Sequence, residues 1–576
     1  MSADNLERIF EILFDSDSEE EFHGFTNDDI AALDQEIAAD SDSEDEVECT
    51  TTPRGEIDSA YDISWLPDCQ ATPAPLQVPD NVFEADVFRL FISDDVLDLM
   101  VTETNRYALQ VKEKKGSEAG VFSRVSQWEP VTRPEMSAFV GVLLLYGLTG
   151  RPSHELNWTT DPYLEMPGFR KIMSRNRFLS ILSFFHLNDN ETTKSKSDLT
   201  YDKLHKVRPF VDQVVTSWQR HFSPGREIAV DESMVAFKGR TELKTYMPSK
   251  PSKWGMKAWA LADSSTGYMW NWKLYQGKEN VPREHGVAHD VVCSLTQPLF
   301  GKGHIAYMDN FFSSPALFQE LEQCGTGACG TLRTNRQGVP DSIKKAKPTS
   351  GHPPITERQD RTLYIAWQDK RQVNLMTNVH TSQTFVKEVR SKHHPNKKRF
   401  VEKPAAIEAY TKHMGGVDRA DRQLSNYLNT HRSGKWWKKL FFYLFEVSFC
   451  NALVIWKHKT GGARAIAEKF RLQIAHGFIA GYRGASSTHR GRMAADTPPD
   501  RLLKEAHYPG INTIRLPSGR ISSPDCVVCS NRATKRHQTQ YICKTCQLPM
   551  CMYPCFERYH TLLDYKIPCN PNLHTE

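Results

Sequence analysis

The feature that most constrains the fold is a change in apolar spacing along the chain. From about residue 80 to 225, apolar side chains recur at helical intervals, as in VFRLFISDDVLDLMV and KVRPFVDQVVTSWQRHF. The next segment has short apolar runs between turn residues: EIAVDESMVAF, WGMKAWALAD, GYMWNWKLY and HIAYMDNFF, then PALFQELEQC with helical spacing and the run GACGTLR. Four strands, a helix and a further strand predict a mixed α/β layer that begins as a meander.

The pattern is interrupted once and then becomes helical again. A polar stretch at 336–404 contains one clear strand pair, TLYIAWQD and QVNLMTN, and is interpreted as an insertion. Helical spacing returns in GGVDRADRQLSNYL and continues to about residue 482. The apolar runs Phe139–Leu148 and Leu440–Trp456 predict buried helices rather than membrane spans, because the first is too short and the second contains Glu446 and Asn451.

Charge is distributed very unevenly along the chain. The whole sequence has a net charge of +2, but residues 1–60 contain 20 Asp and Glu against only Arg8 and Arg54. The remaining residues therefore have 70 basic against 50 acidic side chains, a net of +20. Such an acidic stretch cannot bury enough apolar surface to fold, so we expect disorder there. The basic remainder is typical of a protein that binds a polyanion, although a merely soluble surface is the alternative.

The N-terminal sequence and the cysteines limit the cellular compartment. MSADNLERIF has neither a basic start nor an apolar core, so we expect no secretory targeting. The thirteen cysteines are then expected to be reduced or bound to metal, and seven of them follow position 525.

Three aspartates stand out as candidate metal ligands. Asp231 ends the strand EIAVD, Asp309 ends the strand HIAYMD, and Asp418 lies in the helical GGVDRAD. Carboxylates at neighbouring strand ends, with a third on a nearby helix, can hold two Mg²⁺ ions for phosphodiester chemistry. An Asp after a strand is more often a turn former, however, and Glu232 and Asp263 are equally available. Spacing alone does not choose among these carboxylates.

From about residue 80 to the C-terminus the sequence resembles the piggyBac transposase family. The resemblance is carried by AVDESMVAFKGR, YMPSKPSKWGMK, YMDNFFSS, GTLRTNR, HMGGVDRADRQL and a terminal CxxC…CxxC…PCFERYH, in the family's order. It implies an RNase H-like catalytic core whose triad corresponds to Asp231, Asp309 and Asp418. Asp421 matches a fourth acidic residue that the family needs, and no triad position departs from the pattern.

The same resemblance implies a Mg²⁺-dependent cut-and-paste DNA transposase, for which Mn²⁺ can substitute. The implied reaction nicks the transposon ends, forms hairpins on the flanking TTAA, excises the element and inserts it at a new TTAA. The alternative is a domesticated, transposase-derived DNA- or chromatin-binding protein without transposition activity. A third hypothesis, a zinc-dependent interaction or ubiquitin-ligase scaffold, would make the carboxylates irrelevant to function.

The end of the chain predicts a zinc-binding domain. Paired CxxC units place two thiolates on one tight turn, and two such units with further Cys or His form tetrahedral zinc sites. The candidate ligands are Cys526, Cys529, Cys543, Cys546, Cys551, Cys555 and His560. Seven ligands leave two sites one short, so His537, Cys569, His574 or a water would complete the set if two ions bind. The domain is structural, RING-like or, as the resemblance implies, a reader of the transposon's terminal repeats.

Basic and aromatic residues near the carboxylates are candidate DNA contacts. They are Lys238, Arg240, Lys250, Lys253, Lys257, Arg333, Arg336, Trp436 and Trp437. The alternatives are a solvated strand edge for the basic residues, and helix core for one of the two tryptophans.

The residue patterns predict an α/β core with an insertion, flanked by mostly helical segments, and the resemblance implies that the core is an RNase H-like catalytic fold and that the helical segments form a dimerisation and DNA-binding domain. The predicted boundaries are 1–78 disordered and acidic, 79–225 helical, 226–335 catalytic, 336–404 insertion, 405–427 catalytic, 428–484 helical, 485–524 linker and 525–576 Cys-rich and zinc-binding. We expect a nuclear homodimer that binds the terminal inverted repeats and TTAA target of double-stranded DNA, not a membrane.

Overall fold

The structure is a computed structural model of the chain. It describes residues 53–54, 63–69, 71–79, 82–115, 124–151, 153–248, 252–277, 285–390, 398–425, 433–461, 466–482, 507–516, 518–531, 536–562 and 565–566. The chain divides into two compact units, Met1–Ala485 and Ser486–Glu576, and each is considered by itself.

Helices occupy both ends of the first unit, as the apolar spacing predicts, and further helices lie between the strands of its sheet. They are α1 Glu84–Arg89, α2 Asp94–Lys115, α3 Arg133–Thr149, α4 Pro167–Ile172, α5 Arg175–Phe184, α6 Arg208–His221, α7 Val287–Thr296, α8 Pro315–Gln323, α9 Asp341–Lys344, α10 Ala405–His413, α11 Gly416–Ser425, α12 Trp436–Lys459 and α13 Ala467–Ile479. Local sequence fixes the ends of α3: the Thr132 side chain accepts a hydrogen bond from the Glu135 amide, and Gly150 ends the helix with φ +58°.

A nine-stranded sheet forms the centre of this unit. Its strands are β4 Glu227–Ala236, β5 Lys244–Tyr246, β6 Trp254–Asp263, β7 Met269–Leu274, β8 Ile305–Met308, β9 Gly327–Thr331, β10 Ile355–Gln359, β11 Thr362–Gln368 and β12 Gln372–Thr377. β4, β6 and β7 make the predicted antiparallel meander, and β8 and β9 run parallel to β4. Across the sheet the order is β10-β11-β12-β9-β8-β4-β6-β5, with β7 also paired to β6.

The long apolar helix α12 lies in the protein interior. By length and composition it could cross a membrane, but 89% of its most apolar stretch is buried inside the protein, which agrees with the predicted buried helix. Its Glu446 forms a fully buried, two-point ion pair with Arg471 of α13, at 2.8 and 2.6 Å. Asn451 bonds both backbone groups of Met269 and so fixes α12 to β7.

Several sequence predictions need correction. Residues 63–69 and 71–78 fall in the segment predicted to be disordered, yet β2 (Ala74–Pro75) pairs with β3 (Phe222–Ser223), and Leu66 is buried in a core cluster with Ile305. The rest of 1–62, apart from the short strand β1 (Pro53–Arg54), lies outside the described residues. Within 336–404, β10–β12 extend the central sheet, whereas β13 (Thr384–Arg390) and β14 (Lys398–Pro404) form a separate sheet with β1. Helix α7 was not foreseen.

Candidate active site and metal centres

Asp231 and Asp309 lie on neighbouring parallel strands at matching positions. The β4–β8 pairing ends with Val230 opposite Met308, and the two aspartates are the next residues in the chain, Asp231 within β4 and Asp309 directly after β8. Adjacent strands are about 4.8 Å apart, so the two carboxylates arise from neighbouring backbone positions. The parallel register therefore brings together two side chains that are far apart in the sequence.

The Asp309 carboxylate is partly buried and held by its own loop. Its Oδ1 accepts a hydrogen bond from the Phe311 amide at 2.9 Å. Burial raises the pKa of Asp309 above its ordinary value; the bond from Phe311 opposes this, and the charge of Glu232 raises the pKa further. The Arg333 guanidinium lowers it. Burial and the nearby Glu232 carboxylate thus both favour the neutral form of Asp309.

Helix α11 brings Asp418 and Asp421 to the sheet by close packing. A Cβ at Gly416 would lie 2.9 Å from the Ala229 Cβ and 3.2 Å from the Asp263 carbonyl oxygen, so only glycine allows this approach. Arg419 of α11 donates to the carbonyls of Ser264 and Ser265, both at 2.5 Å. The helix start, with Asp418 in its first turn, is therefore fixed against β4 and the loop after β6.

Asp421 is connected directly to the strand that carries Asp231. The Ser233 hydroxyl donates to Asp421 Oδ1 at 3.0 Å and lies 2.7 Å from the Tyr443 hydroxyl. Because Asp231 and Ser233 are two positions apart on β4, their side chains are on the same face of the sheet. Asp421 thus lies on the side of the candidate site that β4 forms.

The three aspartates do not form one tight ligand cluster. In the described part of the chain, three groups of His, Cys, Asp or Glu have all ligand atoms within 4.8 Å of one another, and Asp231, Asp309 and Asp418 are not one of these groups. Asp309 directly follows the end of β8, and Asp418 is on the packed helix α11. Asp231 lies in the middle of β4, which continues to Ala236, so the prediction that Asp231 ends its strand is wrong.

The two competing carboxylates have other partners. Asp263 is fully buried, and its Oδ1 accepts hydrogen bonds from the amides and hydroxyls of Ser265 and Thr266, while its Oδ2 accepts from the Gly225 amide. Asp263 therefore shapes the loop between β6 and β7. Glu232 forms an ion pair with Lys257.

Some of the predicted DNA contacts are engaged within the protein. Arg333 donates to the Asn310 side chain at 2.8 Å, and Arg336 donates to the Phe311 carbonyl at 2.6 Å, so both arginines hold the loop after Asp309. Lys257 pairs with Glu232 and lies 4.7 Å above the Phe311 ring. All three side chains therefore lie near the carboxylates, and their contacts there are with the protein itself, where they stabilise the loop after Asp309.

The remaining predicted contacts have different surroundings. Lys238 and Arg240 are exposed and Lys253 is half-buried, whereas Lys250 lies outside the described residues. Trp437 is 2% exposed and packs against Phe185 and His186, so the prediction of a DNA contact is wrong for Trp437. Trp436 lines a cavity with several lysines: Lys196, Lys203 and Lys206.

Tyr410 is a site residue that sequence reasoning missed. It lies on α10, and its hydroxyl is 3.4 Å from the Thr331 hydroxyl at the end of β9. Burial raises the pKa of Tyr410 to about 12, and the charges of Asp309 and Asp231 act in the same direction. Tyr410 is eight positions before Asp418, and nothing in the sequence indicates that it reaches the site unless the packing of α10 is known.

The second unit contains two complete sets of zinc-type ligands. One set is Cys526, Cys529, Cys551 and Cys555, with all sulfur atoms within 4.8 Å of one another. Hydrogen bonds from Cys551 and Cys555 lower the pKa of Cys526 well below its ordinary value, whereas burial raises the pKa of Cys529 to about 12. Four thiols this close cannot all ionise unless a cation offsets their charge.

The other set corrects the predicted eighth ligand. His507, Cys543, Cys546 and His560 meet within 4.8 Å, with the Cys546 sulfur 3.3 Å from His507 Nδ1 and 3.5 Å from His560 Nε2. His560 Nδ1 lies 2.7 Å from the Phe556 carbonyl, which leaves Nε2 for a metal. The candidate eighth ligand is therefore His507 rather than His537, whereas Cys569 and His574 lie outside the described residues.

Comparison with known proteins agrees with this arrangement. Residues 84–453 match the family model described as Transposase IS4, and residues 518–561 match the DDE_Tnp_1-like zinc finger. The first match includes the described strands and helices that carry all four aspartates. His507 falls outside the second match, although it completes a ligand set with residues inside it.

Similar proteins share most of this chain. PiggyBac transposable element-derived protein 3 of Homo sapiens is 26% identical over 83% of this chain and 76% of its own length. PiggyBac transposable element-derived protein 5 of Homo sapiens is 27% identical over 72% and 78%. The cryo-EM structure of the piggyBac transposase synaptic complex with hairpin DNA has the same fold, with a TM-score of 0.62 and 20% identity over 84% of this chain and 99% of that one. The chain belongs to the piggyBac-type transposases of the Transposase IS4 family.

Proposed function

We propose that the protein is a cut-and-paste DNA transposase whose metal ligands are Asp231, Asp309 and Asp418, with Asp421 as a supporting acidic residue. The observation that carries this proposal is the parallel register of β4 and β8, which puts Asp231 and Asp309 at adjacent positions. Helix α11 adds the third and fourth carboxylates to the same region.

We infer an RNase H-like catalytic core. The support is the sheet itself: an antiparallel meander, β4-β6-β7, continued by two strands, β8 and β9, that run parallel to β4. The matched family model and the similar fold of the piggyBac transposase agree with this assignment.

The donor set suits two Mg²⁺ ions, and Mn²⁺ would also fit. All proposed ligands are carboxylate oxygens, the type that hard divalent cations prefer. When bound, the ions would activate the attacking oxygen and stabilise the leaving oxygen of a phosphodiester. The chain keeps Asp309 in place through the Phe311 amide, and it fixes the following loop through Arg333 and Arg336.

The proposed substrate is double-stranded DNA at the ends of a transposon. We propose excision through hairpin ends and insertion at TTAA, by a homodimer in the nucleus. Three observations support a DNA substrate: the net charge of +20 after residue 60, the exposed Lys238 and Arg240 after β4, and the hairpin DNA of the similar piggyBac synaptic complex. The zinc-type tail would recognise the terminal repeats.

The test is an excision assay in cells, with a reporter gene interrupted by a transposon that carries the matching ends. Wild type is compared with Asp309→Asn and with a matched control, Asp341→Asn, whose side chain is 74% exposed on α9. We expect wild type and the control to restore an intact TTAA site and Asp309→Asn not to. Equal excision by wild type and Asp309→Asn would contradict the proposed triad.

The assay also separates the second candidate, a domesticated DNA- or chromatin-binding protein. This candidate is tested because the human relatives are named as proteins derived from the transposable element. If no variant excises but wild type and Asp309→Asn bind the end DNA equally, this candidate replaces the transposase.

A further inference from the structure

A third group of metal-ligand side chains lies in the first unit, apart from the four aspartates. His289, Cys293 and Glu320 have ligand atoms that are all within 4.8 Å of one another. His289 and Cys293 are four residues apart on α7, so they share one face of that helix. Glu320 projects from α8. Two helices therefore converge on one point with a nitrogen, a sulfur and an oxygen donor.

The histidine points into this group without a hydrogen bond. The His289 side chain is only 6% exposed, and its Nε2 is a buried atom that makes no hydrogen bond. Glu320 Oε2 is only 3.1 Å away from Nε2, but not in hydrogen-bonding geometry. Two polar atoms that are close but do not face each other have the arrangement of two ligands directed at a common third atom.

We propose that His289, Cys293 and Glu320 bind a zinc ion that clamps α7 to α8. Imidazole, thiolate and carboxylate are the ligand types that Zn²⁺ combines, and a half-buried site with a thiolate favours Zn²⁺ over Mg²⁺ or Ca²⁺. Bound zinc would also satisfy the buried His289 nitrogen, which otherwise costs stability.

Cys324 is the candidate fourth ligand. It caps the C-terminal end of α8, four residues after Glu320 and on the same side of the helix, and it is not disulfide-bonded. Its backbone oxygen accepts a hydrogen bond from the Gly301 amide at 2.7 Å, which fixes the end of α8 beside the turn that precedes β8. With Cys324 the ligand set would be tetrahedral; without it a water molecule would take the fourth position.

The position of the clamp gives it a role in the proposed site. Helix α7 precedes β8 in the chain and α8 follows it, so the clamped helices flank in sequence the strand that leads into Asp309. Zinc here would limit the relative movement of the segments that lead into and out of the Asp309 loop. The inference concerns zinc binding and stands whether or not the transposase proposal holds.

The experiment measures zinc per chain in the full-length protein. Protein purified with reductant, from cells grown with added zinc, is passed over chelating resin and analysed by mass spectrometry for zinc. We compare wild type with Cys293→Ser and Glu320→Gln. The Glu320 side chain is 43% exposed, so Glu320→Gln should fold normally and keeps the test valid even if Cys293→Ser impairs folding. The matched control is Cys69→Ser, another half-buried free cysteine.

We expect each of the two variants to contain about one zinc equivalent less than wild type. Cys69→Ser should keep the wild-type content. A Cys324→Ser variant that also loses zinc identifies the fourth ligand. Equal zinc in wild type, Cys293→Ser and Glu320→Gln would overturn the proposal, and so would a Cys293–Cys324 disulfide found by peptide mass spectrometry together with unchanged zinc.

Discussion

The Ser233 hydroxyl lies 3.0 Å from Asp421 Oδ1 and 2.7 Å from the Tyr443 hydroxyl, so β4, α11 and α12 meet in one hydrogen-bonded chain. If Ser233 donates to the carboxylate, Tyr443 donates to Ser233. Tyr443 is 3% exposed and belongs to the buried helix α12. The helical part of the first unit thus reaches the acidic residues directly.

Replacing Ser233 with alanine should impair excision. A hydrogen bond to a charged group contributes about 1.5–3 kcal/mol, and each 1.36 kcal/mol is a factor of about ten in rate. If Asp421 must be held for activity, we expect excision to fall roughly tenfold to a hundredfold. Ser217→Ala is the control, because its hydroxyl donates to the Val214 carbonyl of its own helix. Wild-type excision by Ser233→Ala would show that this bond does not position Asp421.

Gly416→Ala should be harmful, whereas Gly415→Ala should be tolerated. A Cβ at Gly416 meets Ala229 at 2.9 Å and the Ser264 backbone at 3.1 Å, but a Cβ at Gly415 meets nothing within 4 Å. Overpacking of this kind costs about 1–3 kcal/mol and would push α11 away from β4. Urea unfolding and the excision assay should both be affected by the first change. Equal behaviour of the two variants would contradict the proposed close docking of α11.

Stability should fall on mild acidification because of His380. This histidine is half-buried, and desolvation, together with the charges of His413 and Arg226, lowers its pKa from 6.5 to about 4. The unfolded chain therefore binds a proton between these values and the folded chain does not. The stabilisation is complete above about pH 6.5 and is lost as the pH falls toward 4, with roughly 2 kcal/mol lost between pH 7 and 5.

The His380 effect is measured by urea unfolding at pH 7 and pH 5. His380→Asn should lose less stability between the two pH values than wild type. His458→Asn, at an exposed position on α12, should behave like wild type. If His380→Asn and wild type show the same pH dependence, another group is responsible.

In the tail, His507→Ala should release zinc and His537→Ala should not. Structural zinc sites need four ligands, so loss of His507 leaves Cys543, Cys546 and His560 with an open position. We expect about one zinc equivalent less per chain, measured as in the clamp experiment. Retention of zinc by His507→Ala, with loss in His537→Ala, would instead favour His537, one of the four alternatives that the sequence leaves open.

The strand pattern was predictable because it depends on local spacing. The apolar run before Asp309 marks the end of β8, whereas the run before Asp231 does not mark a strand end, because β4 continues to Ala236 through its pairing with β6. The parallel register of β4 and β8 then places the two aspartates side by side. Helix α7 was missed because VAHDVVCSLT is short and rich in β-branched valine, which does not favour a helix in isolation. Its tertiary contacts with β6 and β7 outweigh that preference.

Side-chain partners were harder to predict. Lys257, Arg333 and Arg336 look like phosphate contacts in the sequence, but a charge pattern does not reveal that Glu232 or a loop carbonyl is within reach. His507 was missed for a similar reason: it precedes the first CxxC unit by a long segment and lies outside the cysteine-rich stretch that marks the zinc ligands. Only the pairing of β15 (Pro509–Ile511) with β16 (Tyr541–Cys543) brings it close.

The ligand order in the tail has a consequence for truncation. The outermost ligands, His507 and His560, belong to one site, and the four cysteines of the other site lie between them in the sequence. Shortening the described tail from either end therefore opens the same mixed His/Cys site first and spares the all-cysteine site. Because His560 is the last of these ligands in the sequence, the mixed His/Cys site can bind its metal during synthesis only after all four cysteines of the other site have left the ribosome.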